Sequence, residues 1–114
     1  MTSPAAPEVS AHAAADLVEA GAVLLDVREQ HEWDAGHAPQ AQHLPMSELS
    51  SRVSELAKDV QLICVCHVGG RSAAVSAALS QAGWQAANLT GGMRSWQAAG
   101  LTVLDANGQP GTVD

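Results

Sequence analysis

The sequence contains no phenylalanine and no tyrosine, and its three aromatic side chains are all tryptophan. The hydrophobic fraction of 46% therefore comes mainly from Ala, Val, Leu and Ile, whose small side chains suit close packing of helices on a sheet. Basic residues are also few, with five against twelve acidic ones and a net charge of −7. This balance argues against nonspecific binding to nucleic acid or to an anionic membrane surface.

Cysteine is scarce as well, because the chain has only Cys64 and Cys66, separated by one residue. Two such cysteines cannot form a disulfide framework, which favours a reducing compartment. No apolar run approaches the length needed to span a membrane, and the first residues lack the basic and apolar segments of a signal peptide. We therefore expect a cytoplasmic protein with no membrane partner.

The length of 114 residues fits one domain. We predict a flexible leader over residues 1–9, the folded domain over residues 10–105 and a polar tail over residues 106–114. Apolar runs alternate with helical patterns, which predicts an α/β fold with a central parallel sheet and helices on both faces. The expected strands are residues 22–27, 42–44, 60–65, 86–89 and 101–104, and the expected helices are residues 11–20, 29–34, 46–57, 72–82 and 93–99.

The segment after the third predicted strand carries the strongest chemical signal. A buried strand ends at Cys66, and a short loop with Gly69 and Gly70 leads directly into a helix. Ligands bind beyond the carboxyl ends of parallel strands, and loop N–H groups together with a helix N-terminus can stabilise an anion there. A cysteine in this position has a lowered pKa and is nucleophilic near neutral pH. We therefore predict that Cys66 is the catalytic residue.

The loop and the first helical turn are predicted to bind an anionic substrate. Arg71 adds a positive charge at the start of the helix, although it can also pair with a carboxylate such as Asp26. Arg28 and Glu29 fit a structural ion pair or a brace for their loop. The predicted substrate-binding residues are His67, Val68, Gly69, Gly70, Arg71 and Ser72.

Three segments resemble the landmarks of the rhodanese family, in the same order along the chain. Residues 66–72 (Cys-His-Val-Gly-Gly-Arg-Ser) resemble its active-site loop. Residues 25–29 (Leu-Asp-Val-Arg-Glu) and 36–39 (Gly-His-Ala-Pro) resemble its first-strand motif and the segment after it. Residues 89–96 (Leu-Thr-Gly-Gly-Met-Arg-Ser-Trp) resemble its third landmark. One departure is His67, where many relatives have arginine or another basic residue.

The resemblance implies a thiosulfate sulfurtransferase. Cys66 would take a sulfane sulfur from a small anionic donor, such as thiosulfate or a persulfide, and pass it to a thiol, a protein acceptor or cyanide. No metal and no organic cofactor is implied. His31, His37 and His43 do not have the spacing of paired metal ligands, and Cys64 fits a core residue.

Other functions remain open alternatives. Cysteine-dependent phosphatases, and arsenate reductases with them, use a similar loop, but the phosphatases place five residues between the cysteine and the arginine. Only four residues separate Cys66 from Arg71, which argues against both. A sulfur carrier, a redox sensor or a protein-interaction module of the same family is the other alternative, because a fold alone does not establish activity.

Overall fold

Five parallel strands form one sheet in the computed structural model, which describes residues 5–113. The order across the sheet is β1-β5-β4-β2-β3, so the strand that leads to Cys66 lies in the centre. All four neighbouring pairs are parallel, which confirms the predicted α/β class. The strands are β1 (Glu8–Val9), β2 (Val23–Asp26), β3 (Gln42–His43), β4 (Gln61–Val65) and β5 (Gln85–Leu89).

Helices connect the strands and cover the sheet. The first helix begins where the Ser10 hydroxyl accepts the N–H of Ala13 at 3.2 Å, as expected for an N-cap serine. The helices are α1 (Ala11–Glu19), α2 (Gln30–Ala35), α3 (Leu49–Arg52), α4 (Gly70–Gln81) and α5 (Gly92–Ala98). Among residues 5–113, no helix is both long enough and apolar enough to cross a membrane.

The core has two parts, one on each face of the sheet. On one face, Ile63 and Val65 of β4 pack with the fully buried Trp96 of α5. On the other face, Cys64 and the neighbouring strand residues pack with Val75 of α4. Small aliphatic side chains fill most of both parts, in agreement with the absence of phenylalanine and tyrosine.

Two predicted elements differ from the structure. The helix expected over residues 46–57 is divided into two 3₁₀ helices, Met46–Glu48 and Val53–Glu55, with α3 between them. Serines lower the helix propensity of this segment, because their hydroxyls compete for backbone hydrogen bonds. The Ser51 hydroxyl, for example, donates to the carbonyl of Glu48 at 3.0 Å. The strand expected over residues 101–104 is absent from the sheet, and Leu104 makes only isolated antiparallel bridges.

The amino-terminal segment is not a free leader over its described part. Glu8–Val9 forms β1 at the edge of the sheet, and the N–H groups of Asn88 and Thr90 donate to the carbonyls of Pro7 and Val9, each at 2.8 Å. These bonds satisfy backbone groups that β5 would otherwise expose as an edge strand. Residues 1–4 lie outside the described part of the chain.

The carboxyl-terminal segment also differs from the expected polar tail. The N–H of Thr112 donates to the carbonyl of Ala35 at 2.9 Å, and Val113 is buried. A side chain at Gly36 would collide with the backbone of Thr112. Residues 111–113 therefore pack at the end of α2, residues 106–110 are exposed, and residue 114 lies outside the described part.

Candidate active site

Cys66 follows the central strand β4 directly, and its side chain is buried with 1% exposure. Its Sγ atom lies 3.1 Å from the backbone N of Gly69 and 3.2 Å from Oγ of Ser72. Gly69 precedes the first residue of α4 and has a φ of 109°, a conformation that glycine adopts without strain. The loop therefore turns back over the sulfur and brings N–H donors to it.

These donors change the ionisation of Cys66. Burial by itself raises the pKa of the thiol, but hydrogen bonds from the Ser72 hydroxyl and from the N–H groups of Ser72, Gly69 and Arg71 outweigh it. The pKa of Cys66 therefore lies below its usual value. The start of α4 contributes partial positive charge in the same direction. The arrangement favours a thiolate, the form in which cysteine is a nucleophile.

Cys64, two residues earlier, is in the opposite situation. It is fully buried in the apolar cluster around Val75. Burial, with a smaller contribution from the nearby Cys66, raises the pKa of Cys64 to about 12. Its surroundings are those of a core residue, as the sequence predicted.

The turn at the start of α5 holds the loop from the other side. The N–H of Met93 donates to the carbonyl of Cys66 at 2.7 Å, and the N–H of Arg94 donates to that of His67 at 3.1 Å. A Cβ atom on Gly92 would lie 2.5 Å from both carbonyl oxygens. Only glycine allows this close approach, so the segment 89–96 holds the active-site loop in place through its backbone.

Arg71 pairs with a carboxylate, which is one of the two roles expected from the sequence, but the carboxylate is not that of Asp26. Its guanidinium forms two hydrogen bonds with the carboxylate of Glu32, at 2.7 and 2.8 Å. The hydrogen bonds from Arg71 are the largest cause that lowers the pKa of Glu32, which lies at about 2. Asp26, the suggested partner, is paired with Arg28 instead at 2.8 Å.

The buried pair of Asp26 and Arg28 braces the neighbouring loop. Arg28 also donates to the carbonyl of Gly36 at 2.7 Å, whereas Glu29, its predicted partner, accepts the hydroxyl of Ser47 at 2.8 Å. The predicted brace at Arg28 is therefore present, but its carboxylate belongs to Asp26 and not to Glu29.

The other predicted loop residues line the rim of the site. Val68 is 58% exposed, and Gly70 is exposed beside it. His67 is half-buried, and its Nε2 atom is buried without a hydrogen-bond partner among the described residues. The loop therefore brings Gly69, Ser72 and the backbone of Arg71 to the sulfur and leaves Val68 at the surface.

The histidines of the segment 37–43 are used in packing and backbone hydrogen bonds. The rings of His37 and His43 stack on Trp33, with centroids 3.8 and 4.6 Å away. His37 donates through Nδ1 to the carbonyl of Trp33, and His43 through Nε2 to that of Arg28, both at 2.8 Å. In the part of the chain that the structure describes, no group of three or more His, Cys, Asp or Glu residues could hold a metal ion.

The sequence reasoning missed Asn88. It lies in β5, is 3% exposed, and its Oδ1 atom is 2.6 Å from Oγ of Ser72. Its Nδ2 atom lies 3.1 Å from both carboxylate oxygens of Glu8. The available signal was one polar residue between Ala87 and Leu89 in a strand predicted to be buried, since a buried amide needs partners.

Comparison with known proteins gives one consistent result. The family model described as "Rhodanese-like domain" matches residues 10–99. A Bacillus subtilis protein named "Putative sulfurtransferase YtwF" is 35% identical over 92 residues, which cover 79% of this chain and 89% of that protein. A protein of Allochromatium vinosum named "Sulfurtransferase" is 36% identical over 87 residues, which cover 75% of this chain and 81% of that protein.

The fold is also similar to that of a solved structure. The crystal structure of a rhodanese-related protein from Thermoplasma volcanium superposes with a TM-score of 0.81 at 32% identity. The match covers 86% of this chain and 97% of the other.

Proposed function

The chain belongs to the rhodanese-like domain family, and from this premise we propose that it transfers a sulfane sulfur through a persulfide on Cys66. The main support for this proposal is the environment of the Cys66 sulfur. The sulfur is buried, and the Gly69 N–H and the Ser72 hydroxyl lie 3.1 and 3.2 Å from it. A buried structural cysteine would not need such donors.

In the first step, the thiolate of Cys66 attacks the outer sulfur of thiosulfate. A new S–S bond forms on Cys66, the S–S bond of thiosulfate breaks, and sulfite leaves with the electron pair. A small persulfide donor reacts in the same way and leaves as a thiolate. The lowered pKa of Cys66 supports this step, because it increases the fraction of the thiol that is present as thiolate.

In the second step, an acceptor attacks the outer sulfur and Cys66 leaves as a thiolate. A thiol acceptor becomes a persulfide and cyanide becomes thiocyanate, so the protein returns to its starting state. The N–H groups that favour the thiolate also favour its release as the leaving group. Between the two steps the outer sulfur carries the negative charge, which N–H groups of residues 67–72 can stabilise.

The size of the loop supports sulfur transfer over phosphate or arsenate chemistry. Four residues lie between Cys66 and Arg71, and the guanidinium is held by Glu32 at 2.7 Å. A phosphatase needs a wider loop and an arginine free to bind phosphate oxygens. A single terminal sulfur atom requires less space and fewer donors.

The proposed partners are a small anionic sulfur donor and a thiol or protein acceptor, in the cytoplasm. No metal or organic cofactor enters either step. A sulfur carrier would use the first step and deliver the outer sulfur of the same persulfide to one protein partner. The two roles share Cys66 and differ in the acceptor.

Steady-state assay of thiosulfate:cyanide sulfurtransferase activity tests the proposal. We expect activity in the wild type and none above background in Cys66→Ser, while Cys64→Ser, the matched control, keeps most of it. Circular dichroism verifies that both variants fold. Equal activity in the wild type and Cys66→Ser would refute the role of Cys66.

A further inference from the structure

The side-chain amide of Asn88 has a fixed orientation. Its Nδ2 group lies 3.1 Å from both carboxylate oxygens of Glu8 and 3.3 Å from the carbonyl of Gly69. These three atoms only accept hydrogen bonds, so a flipped amide would turn its own oxygen towards acceptors. The Oδ1 atom therefore faces Ser72 and needs a donor from it.

Ser72 is fully buried and has one hydroxyl proton for three candidate acceptors. The Oδ1 atom of Asn88 is the nearest at 2.6 Å, followed by Sγ of Cys66 at 3.2 Å and the carbonyl of Gly69 at 3.5 Å. The length of 2.6 Å is that of a strong O–H···O bond. Asn88 and the sulfur therefore compete for the same proton.

The outcome of this competition depends on the state of the sulfur. When Cys66 is a thiol, its S–H can donate to Ser72 and Ser72 can donate to Asn88, so every group has a partner. When Cys66 is a thiolate, Ser72 must turn to the sulfur, and Oδ1 of Asn88 loses its donor in a buried site. Leaving a buried acceptor without a donor is unfavourable.

We propose that Asn88 is a positioning residue that holds the Ser72 hydroxyl and competes with the Cys66 sulfur for its proton. The inference rests on the proposed function only in taking Cys66 as the reacting sulfur. Once a persulfide forms, the charge lies on the outer sulfur and the inner sulfur is neutral. The Ser72 proton then returns to Asn88, so Asn88 favours the loaded state over the free thiolate.

Glu8 is the anchor of this arrangement. Its carboxylate accepts the Asn88 amide and also the hydroxyl of Thr90 at 2.9 Å. Since Glu8 belongs to β1, the edge strand connects to the reacting sulfur through Asn88 and Ser72. Thr90 hydrogen bonds to Glu8 and is not among the described hydrogen-bond partners of the Ser72 hydroxyl, which makes it a matched control.

Every variant keeps the other titratable groups that lie near Cys66 and Asn88. They are Cys64 on β4, His67 in the loop, Arg71 on α4, which Glu32 of α2 holds, and Glu8 on β1, which faces Asn88. Asp26 of β2 helps to raise the pKa of Arg71 and is paired with Arg28. A change in the pH profile between variants of Ser72 and Asn88 therefore reports on the shared proton.

The test measures the rate of Cys66 alkylation by iodoacetamide against pH, with the site read by mass spectrometry. We expect Asn88→Leu to lower the apparent pKa of Cys66 by about one unit, a tenfold higher ratio of thiolate to thiol. Ser72→Ala raises this pKa, and Thr90→Val leaves it unchanged. In the Ser72→Ala background, Asn88→Leu has no further effect, because no shared proton remains.

An unchanged or higher pKa in Asn88→Leu, or the same decrease without Ser72, overturns the proposal. If Asn88→Leu does not fold, an NMR pH titration of the wild type tests the proposal instead. The side-chain amide signals of Asn88 then follow Cys66 ionisation in the wild type and cease to do so in Ser72→Ala, whereas an identical titration in both contradicts the inference. Alkylation needs no sulfur donor, so a chain that transfers no sulfur but gives this pattern would refute the proposed function alone.

Discussion

Replacing Glu32 with glutamine removes the charge that Arg71 binds while keeping the size of the side chain. In the folded protein the pKa of Glu32 falls from its usual 4.5 to about 2, with the Arg71 hydrogen bonds as the main cause. At 1.36 kcal/mol per pKa unit this difference corresponds to about 3 kcal/mol. Arg71 is 37% exposed, so solvent screens the pair, and we expect Glu32→Gln to lower the free energy of unfolding by about 1–2 kcal/mol at pH 7.

The pH dependence gives this prediction its sign. A carboxylate with a lowered folded-state pKa stabilises the protein above its unfolded-state pKa, and the contribution is lost as the pH falls through the folded-state value. The difference between wild type and Glu32→Gln should therefore be constant above about pH 5.5 and disappear between about pH 4.5 and pH 2. Glutamine can still accept the N–H of Glu29, which Glu32 does at 3.1 Å, so the start of α2 is preserved.

Urea denaturation of both proteins across this pH range is the assay. Glu55→Gln is the matched control, because Glu55 pairs with Arg52 on an exposed surface and should change stability less. A difference between wild type and Glu32→Gln that stays constant down to pH 2, or no difference at pH 7, would refute the reasoning.

Two further predictions concern the loop and its cysteines. Gly92→Ala should reduce sulfurtransferase activity at least tenfold, because the new Cβ would lie 2.5 Å from the carbonyl oxygens of Cys66 and His67; Gly100→Ala, also at positive φ but with no atom within 4 Å, should keep near wild-type activity, and equal losses in the two variants would contradict the argument. At pH 8, iodoacetamide should modify Cys66 and leave Cys64 intact in the folded protein, because the pKa of Cys66 is lowered and that of Cys64 is raised to about 12; comparable modification of both would show that their surroundings do not differ in this way.

The sequence was most informative where the signal is local. Alternating apolar runs and helical patterns predicted the parallel sheet, and residues 66–72 predicted the loop that surrounds Cys66. The Gly69 conformation and the start of α4 follow from neighbouring residues, since a glycine pair and a helix signal are adjacent in the chain. Periodicity and turn chemistry report on such short-range features.

Long-range contacts were among the features that the sequence did not predict. Glu32 and Arg71 are 39 residues apart, and Glu8 and Asn88 are 80 apart, so no local spacing indicates either pair. The two residues of β1 are too few to show an alternating pattern. Its place in the sheet depends on the unpaired edge of β5, which only the tertiary structure reveals.

Formation of the Cys66 persulfide can be measured by loading the intact, reduced protein with thiosulfate, removing the excess donor and determining the mass of the protein. We predict one additional sulfur atom per chain, located on Cys66 by peptide mass spectrometry and removed by cyanide or dithiothreitol. Cys64→Ser should load as the wild type does, and Cys66→Ser should not load. Sulfur on Cys64, or none on either cysteine, would contradict the proposed mechanism.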